Sequence, residues 1–571
     1  MRLDKLTIGS AKNSPAHQFK NLKDVTIDFD QDHWVTVVIG WNGTGKSNVL
    51  EALAIIFREL ISQKKPMIGF AFRLAYRMGH GDSSRRISID HDPDRLKELF
   101  RIHVATPAQT KRNADISKPL SSDSADNLSA GLPVKLNAFL ADGANLPRYV
   151  FSYYSGESTR MHEVFRPYLE RYDNKLRNGE DPGLKRLFYA MPVHSQFVLL
   201  AFLIRQTDGI REFLNDHLGL DPDEGLESVL FVLRQPPWKS KAADGNPRFW
   251  NARGVVKDFL ARLYDIALAP IDISRRVATS IWNKETLQFK YLFVKDIAAL
   301  RKLVGEQAPA QFFRDLESTY VSELIEEVRI KVRLKKNEGT VTFRELSEGE
   351  QQLLTVLGLL RFTAEDESLF LLDEPDTHLN PRWSVDYLSY LKQFVSSNSL
   401  THDGSHVVLT THNPLAIAEL VKEQVQILNR TEGSKQIDAR QPKFDPRGMG
   451  YAGIVTSDMF GLAAALDMHT QGLLEKKRNL SLLGEPLSEQ EREDLEKINL
   501  ELDGYGFRYS SRDPLFEEYL RARYGFNEGQ PEGQKLADHS SEDRRAKARE
   551  LIEMAAKKVK AEQDGASDAS H

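Results

Sequence analysis

The chain has 571 residues, of which 41% are hydrophobic and 28% are charged, and its formal net charge is −5. These values predict a globular protein of two or three lobes and exclude a globally basic nucleic-acid binder, so any such contact must come from a local patch. The absence of cysteine excludes disulfides, thiolate metal sites and cysteine nucleophiles. Because no apolar signal core is found and the longest apolar run is Phe197–Ile204, we expect a cytoplasmic protein without membrane contact.

The first segment reads as strands followed by a glycine-rich loop and a helix. Leu3–Ile8 and Val25–Phe29 alternate between apolar and polar residues, as half-buried strands do. Trp34–Ile39 is rich in β-branched residues and leads directly into the loop, which is typical of a buried central strand. After Lys46 the apolar residues recur at helical spacing, so a helix is predicted to begin at the loop.

The next segment mixes strand-like pieces with a polar stretch and then becomes mostly helical. Arg86–Ile89 and Phe100–Val104 are predicted as strands, and Thr106–Asn127 has the composition of an exposed loop. Between residues 150 and 325 helical spacing predominates. Helices are predicted at Gln196–Ile204, Ile210–Leu218 and Val255–Ala267, and a loop is predicted at Pro236–Arg248.

Strands and helices alternate in the segment that follows. The predicted strands are Val328–Leu334, Val341–Phe343, Leu369–Leu372, Val407–Leu409 and Val425–Leu428. Alternation of this kind from Ser347 to His412 indicates a mainly parallel α/β sheet. Residues 468–524 are predicted as helices joined by short turns, and the polar residues 563–571 as disordered.

The glycine-rich loop has the spacing of a phosphate-binding loop. Gly40, Gly45, Lys46 and Ser47 fit the pattern G-x-x-x-x-G-K-[ST] between a strand and an amphipathic helix. Glycines let backbone N–H groups converge on phosphates, and the helix N-terminus adds positive potential. We therefore expect Lys46 to neutralise the β- and γ-phosphates of ATP and Ser47 to ligate Mg²⁺.

An acidic pair and a histidine follow two of the later strands. Asp373 ends the strand Leu369–Leu372, where a carboxylate can hold Mg²⁺ from across a nucleotide pocket. Glu374 is placed to orient or deprotonate the attacking water, and His412 to contact the γ-phosphate or brace that water. A helix cap and a structural histidine are the simpler interpretations of these residues, and the ordered series favours catalysis.

Leu346-Ser-Glu-Gly-Glu opens an apolar helix. Ser347 is a favourable N-cap with Glu350 at the third helical position, as in a capping box. A helix N-terminus with a Ser hydroxyl, Glu348 and the flexible Gly349 also suits binding of a γ-phosphate presented by another subunit. The two interpretations are compatible, and the second implies a dimer whose pockets are shared between subunits.

Together these motifs resemble the ATP-binding-cassette (ABC) class of P-loop ATPases, in the branch that contains SMC proteins, RecF and the OLD-family ATPases. Asn42 and Gly43 in the loop, and Asn48 after it, match that branch. Phe19-Lys20-Asn21 resembles the family's Phe-Arg-Asn segment, which implies that Lys20 and Asn21 touch nucleotide, although Lys replaces the usual Arg.

The resemblance implies roles for further segments. Leu346–Glu350 is similar to the family signature, with Glu348 where transporters carry Gly. Asp373–Asn380 matches the extended Walker B motif and the D-loop, which implies that Thr377–Asn380 lies at a dimer interface. The family's Gln loop supplies a further Mg²⁺ or water contact. Gln196 and the switch-like segment Tyr153–Arg160 are both candidates for that role.

These assignments predict an α/β fold with four regions. An ABC-type ATPase head with a mainly parallel sheet is formed by residues 1–60 and 325–430, and a large, mostly helical insert by 61–324. A helical C-terminal region follows over 431–525, and then a polar tail with a short helix over 526–571. A head-to-tail homodimer, or a larger assembly of the chain, is the expected state.

The layout is also similar to the stand-alone ATPases of Septu-type and retron-associated anti-phage defence systems. The similarity is carried by Tyr154-Ser-Gly-Glu-Ser, by the signature stretch and by Val455–Leu462. It implies a separate nuclease or other effector as partner, and the chain shows neither a Toprim acidic pattern after residue 415 nor an HNH pattern. Two rivals are a RecF-like clamp that binds DNA directly and an ATPase with its own divergent nuclease site.

Two further features concern charge. The alternate basic residues Arg329, Lys331 and Arg333 either line a strand face toward phosphates or form an ordinary solvated face, which is the simpler interpretation. His91 lies among Asp90, Asp92 and Asp94, and Pro93 favours a solvated turn there.

Overall fold

The structure of the protein is a computed structural model. It describes residues 1–30, 32–62, 65–106, 131–156, 158–240, 242–278, 284–335, 340–363, 367–396, 404–431, 436–462, 464–482 and 488–505. The predicted tail 526–571, the end of the predicted C-terminal helical region and most of the predicted loop Thr106–Asn127 lie outside these residues. The chain divides into two compact units, Met1–Gly461 and Leu462–His571.

The described residues form strands and helices that are numbered in chain order. The strands are β1 Arg2–Ile8, β2 Val25–Asp28, β3 Val35–Gly40, β4 Phe72–Met78, β5 Arg85–His91, β6 Phe100–Ala105, β7 Leu132–Val134, β8 Val150–Tyr154, β9 Leu187–Tyr189, β10 Leu226–Arg234, β11 Ile271–Ala278, β12 Lys284–Val294, β13 Ile325–Arg333, β14 Thr340–Thr342, β15 Leu369–Asp373, β16 His406–Thr410, β17 Val425–Arg430 and β18 Ile437–Arg440. The helices are α1 Lys46–Ser62, α2 Leu136–Ala141, α3 Arg160–Arg177, α4 Val193–Ile204, α5 Asp208–Glu212, α6 Gly254–Ile266, α7 Ile297–Val304, α8 Pro309–Val321, α9 Glu348–Thr363, α10 Pro381–Ser396, α11 Gly450–Thr456, α12 Met468–Leu482 and α13 Glu489–Gly504.

A seven-stranded sheet forms the centre of the first unit, in the order β18-β17-β3-β16-β15-β8-β9. All neighbouring pairs are parallel except β17 with β18. Leu372 lies opposite Leu409, and Leu409 lies opposite Val37, so β15, β16 and β3 end at one edge of the sheet. The predicted parallel α/β sheet is confirmed, and this shared edge positions the glycine loop, Asp373 and Thr410 together.

The membership of this sheet differs from the predicted regions. β8 and β9 lie in the sheet although the sequence assigned them to the insert, and β18 extends it beyond residue 430. β8 and β9 are short, and β9 is buried at every position. A short apolar run without alternation cannot be distinguished from a buried helix segment by periodicity, which is why these strands were not predicted.

A six-stranded antiparallel sheet, in the order β2-β1-β4-β5-β6-β7, packs with one face on α1. The predicted strands at Arg86–Ile89 and Phe100–Val104 are confirmed as β5 and β6. The apolar face of α1, which includes Leu50, Leu53 and Phe57, is buried in this cluster. The helix predicted to begin at Lys46 is therefore confirmed, and it links the glycine loop to a rigid core.

A five-stranded antiparallel sheet, in the order β11-β12-β10-β13-β14, lies within the first unit. It corrects the expectation that residues 150–325 are mostly helical, because β10, β11 and β12 all fall there. β11 could not be recognised from burial patterning since seven of its eight residues are exposed. The helix predicted at Ile210–Leu218 is also wrong in detail, because α5 passes into a π-helical turn at Phe213–His217.

The helices packed against these sheets follow the apolar patterns of the sequence. α4 is apolar around most of its circumference because it lies between α8 and α9, and nine of its residues are buried. The helices predicted at Gln196–Ile204 and Val255–Ala267 are confirmed as α4 and α6. At one end of α4, the Glu317 carboxylate of α8 accepts hydrogen bonds from Lys185 and from His194, at 2.6 Å for His194.

The second unit, as far as it is described, is helical. α12 packs against α13 through Leu473, Ile498 and Leu502, and Ser488 with Glu491 forms a capping box at the start of α13. Within the described parts of the chain, we find no helix that has both the length and the apolar character needed to cross a bilayer.

Candidate functional site

A cavity lies at the edge of the central sheet where β3, β15 and β16 end. Its lining residues are Asn42, Gly43, Gly45, Lys46, Ser47, Asn48, Arg160 and Glu374. Seven of these eight residues belong to the predicted phosphate-binding loop, to the acidic pair or to the segment Tyr153–Arg160, and the eighth, Asn48, directly follows Ser47. The structure thus brings together two motifs that are more than 300 residues apart in the sequence.

The glycine loop is held from outside by Asn21. The Asn21 amide donates to the Gly43 carbonyl at 2.9 Å, and its oxygen accepts from the Asn48 amide at 2.6 Å. Gly45 has φ +98°, and a Cβ there would lie 2.9 Å from the Asn21 side-chain oxygen, so only glycine fits. Asn21, predicted to touch nucleotide, therefore braces the loop. Asn42 and Gly43, as predicted, line the cavity.

Lys46 begins α1 and lies at the bottom of the cavity. Its ammonium donates to the Gly40 carbonyl at 2.9 Å and the residue is almost fully buried. Burial lowers the Lys46 pKa, and the nearby carboxylates of Glu374 and Asp373 act in the opposite direction. A buried ammonium held against its own loop is placed to receive a polyanion such as the phosphates of ATP.

Asp373 and Ser47 meet across the cavity in an arrangement that fits Mg²⁺. Asp373 is completely buried, and one of its oxygens accepts from Ser47 at 3.0 Å and from Thr410 at 2.5 Å. The other oxygen is buried and has no hydrogen-bond partner among the described residues. Burial raises the pKa of Asp373. A bound divalent cation would compensate for this desolvation, since Mg²⁺ prefers carboxylate and hydroxyl oxygens.

Glu374 points into the cavity because its backbone adopts an unusual conformation. Its φ is +51°, and its N–H donates to the Thr410 carbonyl at 3.0 Å and to the Thr410 hydroxyl at 3.1 Å. Non-glycine residues with positive φ are uncommon and cluster at functional sites. The His412 imidazole lies 3.4 Å from the Glu374 carboxylate and is 56% exposed. The predicted catalytic pair is thus adjacent and open to a reactant.

Glu51 on α1 forms ion pairs with two cationic side chains near the cavity. Its carboxylate lies 2.5 Å from the Lys20 ammonium and 3.2 Å from the Arg160 guanidinium. Arg160 also donates to Asn48 at 3.3 Å and lies 4.0 Å from the partnerless oxygen of Asp373. Lys20 is therefore paired with Glu51 and is not among the lining residues, so its contact with nucleotide stays a prediction.

The signature loop does not contribute to the lining of this cavity. Ser347 and Glu348 are exposed, and none of the described lining residues comes from the signature loop 346–350. The predicted capping box is confirmed, since the Ser347 N–H and hydroxyl both donate to Glu350 at 2.8 Å. A Cβ on Gly349 would lie 2.6 Å from the His378 carbonyl oxygen, so the signature loop packs closely on the D-loop. The Glu348 carboxylate lies 3.2 Å from the His378 ring.

The two candidates for the Gln-loop role occupy different positions. Gln196 lies in the first turn of α4 and is not among the lining residues. The segment that begins at Tyr153 continues β8, and the Ser155 N–H donates to the Asp373 carbonyl at 3.3 Å. Arg160, at the end of that segment, lines the cavity. The geometry favours this segment, and a metal contact by Gln196 is unsupported.

Thr410 and Glu51 were given no site role in the sequence, and Arg160 was named only as the end of the candidate segment Tyr153–Arg160. Thr410 forms hydrogen bonds with both Asp373 and Glu374. Arg160 forms an ion pair with Glu51 and approaches Asp373. Thr410 ends β16 at the same sheet edge as Asp373, so strand-end position was a usable signal for it. Glu51 lies on a helix, where a charged residue most often faces solvent, so its spacing alone gave it no role.

The fold and the cavity define a P-loop ATPase head, and its motifs resemble those of the SMC/RecF/OLD-like branch of the ABC class. A phosphate-binding loop begins a helix after a central parallel strand, and the Walker B carboxylates end the strand next but one in the sheet. Two family profiles agree with an ATPase. Residues 16–130 match "AAA ATPase domain", and residues 223–418 match "AAA domain, putative AbiEii toxin, Type IV TA system".

The chain is also similar to a Septu protein and to a retron ATPase. It is 24% identical over 200 residues to the Septu protein PtuA of Bacillus mycoides (strain KBAB4), a match that covers 33% of this chain and 27% of that protein. It is 26% identical over 131 residues to the "Retron Vc95 probable ATPase" of Vibrio cholerae serotype O1 biovar El Tor, which covers 20% of this chain and 24% of that protein. The matched segments thus span about a quarter of each relative.

Solved structures of SMC heads also align with the chain. The SMC head domain from Thermotoga maritima is 12% identical, with a TM-score of 0.29, and the alignment covers 77% of this chain and 99% of that one. The Smc head domain from Pyrococcus furiosus is 11% identical, with the same TM-score, and the alignment covers 77% and 96%.

Proposed function

We propose that the chain is a Mg²⁺-dependent ATPase that closes as a head-to-tail homodimer around two nucleotides. One observation carries the proposal: the cavity holds the Walker A and Walker B residues, whereas Ser347 and Gly349 of the same chain lie outside it. The N-terminus of α9, where Ser347 is exposed, is suited to a γ-phosphate on a second copy. Each pocket would then be completed by the partner subunit.

The residues of the cavity suggest a division of tasks. The loop N–H groups and Lys46 would bind the phosphates, while Ser47 and Asp373 would hold Mg²⁺. When bound, Mg²⁺ neutralises charge on the phosphate oxygens. Glu374 would accept a proton from the attacking water, and His412 would orient that water or contact the γ-phosphate. Arg160 adds a positive charge close to Asp373.

We further propose that the ATP cycle regulates a partner effector in defence against phage, and that the effector is a nuclease. The similarity to a Septu protein and to a retron ATPase supports this proposal. So does the resemblance of the signature stretch to those systems. We expect this activity to take place in the cytoplasm.

Replacing Glu374 with Gln tests the ATPase proposal. The amide keeps the size of the side chain but cannot accept a proton, so turnover should fall about 100-fold or more while ATP binding is retained. With ATP and Mg²⁺ the variant should accumulate as a dimer in size-exclusion chromatography with light scattering. Lys46→Ala is the matched control, because it should lose ATP binding and remain unassembled. Unchanged turnover in Glu374→Gln would contradict the assigned role.

The effector proposal needs a different experiment. The tagged chain is expressed from its own genomic neighbourhood, and the proteins that co-purify with it are identified by mass spectrometry. Recovery of a nuclease at constant ratio, released or retained according to whether ATP or ADP is present, would support the proposal. Recovery of the chain alone, together with DNA cleavage by the isolated chain that needs a metal ion, would favour an intrinsic nuclease instead.

Direct binding of nucleic acid is a second candidate function. On β13 the residues Arg329, Lys331 and Arg333 alternate with buried apolar residues and share one exposed face. Part of this charge is neutralised, because Arg329 lies 2.8 Å from Glu327. If this face binds phosphates, duplex binding by the isolated chain should weaken steeply with salt, and Lys331→Glu should reduce both the affinity and the salt dependence.

A further inference from the structure

A buried histidine and two aspartates meet outside the set of residues that line the ATP cavity. His17 lies in the loop between β1 and β2, and Asp92 and Asp94 lie in the turn after β5. His17 is only 1% exposed and Asp92 is buried, whereas the Asp94 side chain is 47% exposed. The expectation of a solvated turn is therefore wrong for His91 and Asp92, which are both buried.

The three side chains present one ligand atom each to a common point. His17 Nε2 lies 3.2 Å from Asp92 Oδ1 and 3.3 Å from Asp94 Oδ2. All three atoms lie within 4.8 Å of one another. Around a tetrahedral Zn²⁺ with bonds of about 2.0–2.1 Å to nitrogen and oxygen, donor atoms are separated by about 3.3–3.4 Å. The two short separations are close to this value.

The His17 ring is fixed by its surroundings, but its Nε2 is not satisfied by a hydrogen bond. Nε2 is buried and has no hydrogen-bond partner among the described residues, although it points at two carboxylates. The opposite ring atom, Nδ1, lies 2.6 Å from the Ser10 hydroxyl. With Nδ1–H donating to Ser10, Nε2 carries a lone pair directed at the carboxylates, which is the arrangement found behind metal-binding histidines.

The Asp92 carboxylate is held in place from the other side. Its Oδ2 accepts from the Lys12 ammonium at 2.8 Å, and its Oδ1 accepts from the Asp94 N–H at 3.0 Å. His91 takes no part, because its Nδ1 donates to the Phe70 carbonyl at 3.0 Å and its ring packs between Phe72 and Phe100. The ligand set is thus His17, Asp92 and Asp94, of which the Asp94 side chain is partly exposed to solvent.

We propose that His17, Asp92 and Asp94 bind a divalent transition-metal ion of the Zn²⁺ class. One imidazole nitrogen with two carboxylate oxygens suits Zn²⁺ better than Mg²⁺ or Ca²⁺, which prefer oxygen ligands alone. The ion would join the β1–β2 loop to the turn after β5. The same loop carries Asn21, which braces the glycine loop. The metal would therefore stabilise the support of the ATP cavity without taking part in hydrolysis.

The competing interpretation is a plain ion pair, in which a protonated His17 bridges the two carboxylates. The interpretations differ in composition, since only one of them includes a metal ion. The full-length protein is stripped with chelator, incubated with Zn²⁺ in excess Mg²⁺, and passed through a desalting column. Excess Mg²⁺ occupies oxygen-only sites, including that formed by Ser47 and Asp373. Metal content is then measured by mass spectrometry.

The wild type should retain about one equivalent of Zn²⁺ per chain. Asp94→Asn removes the negative charge of an exposed ligand without disturbing the core, and it should lower Zn²⁺ affinity at least about tenfold, since even the loss of outer partners of metal ligands costs this much. His469→Ala is the matched control, because His469 also pairs with one carboxylate, that of Glu501 at 2.5 Å, and its loss should change nothing.

Thermal unfolding gives a second readout. Zn²⁺ should raise the midpoint of the wild type and of His469→Ala but not that of Asp94→Asn. Tetrahedral Co²⁺ in place of Zn²⁺ should give an absorption band in the visible range with the wild type and His469→Ala but not with Asp94→Asn. Absence of retained Zn²⁺ in the wild type, or equal retention by Asp94→Asn, would overturn the proposal in favour of the ion pair.

Discussion

A shared pocket can be tested by mixing two inactive variants of the chain. Lys46→Ala removes the buried ammonium of the glycine loop, and Ser347→Arg places a bulky cation on the exposed tip of α9. If each pocket combines Lys46 of one subunit with Ser347 of the other, each variant alone has two defective pockets. A mixed dimer has one pocket with both defects and one pocket with none.

The expected magnitude follows from random pairing in a symmetric dimer. In an equal mixture about half of the dimers are mixed and half of their pockets are intact, so about a quarter of all pockets should work. The mixture should therefore recover about a quarter of the wild-type rate, provided that the pockets act independently. Each variant alone should stay at least about 100-fold below wild type, since each loses contacts made to the transferred phosphoryl group.

The assay is phosphate release at saturating ATP and Mg²⁺, with total protein held constant while the ratio of the two variants is varied. Activity should follow a bell-shaped curve with its maximum at equal amounts. Thr342→Arg provides a matched control, because the Thr342 hydroxyl donates to Glu345 at 2.8 Å, much as Ser347 donates to Glu350. Thr342→Arg should remain active by itself, so mixing it with Lys46→Ala should give no bell-shaped maximum.

Two results would refute the reasoning. If Ser347→Arg alone turned over ATP at the wild-type rate, the signature loop would not contribute to any pocket. If both variants were inactive and every mixture stayed at the sum of its components, the pocket would be complete within one chain. In the second case the residues that line the cavity of one chain would form the whole active site.

Two further perturbations test contacts within the chain. Glu317→Gln leaves the buried Lys185 ammonium without its carboxylate and should lower the free energy of unfolding by about 3–5 kcal/mol at neutral pH. Burial raises the pKa of Glu317, but His194 and Lys185 outweigh it and lower that pKa to about 2. The stability that its charge contributes is therefore present at neutral pH and is lost as the pH falls toward 2, so urea unfolding should show a smaller difference between variant and wild type at about pH 3 than at about pH 7. Gly349→Ala places a Cβ 2.6 Å from the His378 carbonyl oxygen. Turnover should fall by up to about 100-fold because the signature loop is displaced, while binding of a fluorescent ATP analogue to the chain's own cavity should be unchanged; wild-type turnover would show that the loop yields freely.

The sequence predicted the phosphate-binding loop and the acidic strand end because local chemistry is enough to specify them. A glycine loop between a β-branched strand and an amphipathic helix has few other uses. An acidic pair after four apolar residues similarly marks the carboxyl end of a strand. The structure places Lys46, Ser47, Asp373 and Glu374 around one cavity, as these patterns require.

What could not be predicted depends on packing between distant segments. β11 buries almost nothing, so its sequence carries no apolar alternation. The pairing of Glu51 with Lys20 and Arg160 joins three segments that the chain separates widely. His17 and Asp92 are 75 residues apart, and only the antiparallel pairing of β1, β4 and β5 brings their loops together. Such contacts become visible once strand order is known.

The close approach of Gly349 to the D-loop would couple the two nucleotide sites of the proposed dimer. Within one chain, the turn that carries Glu374 continues to His378, whose carbonyl oxygen packs closely on Gly349 of the signature loop. In the proposed dimer that signature loop completes the partner's pocket, so nucleotide binding at one pocket would shift the signature loop of the other. We expect sigmoidal ATP saturation with a Hill coefficient above one, and a half-filled dimer would be a short-lived species.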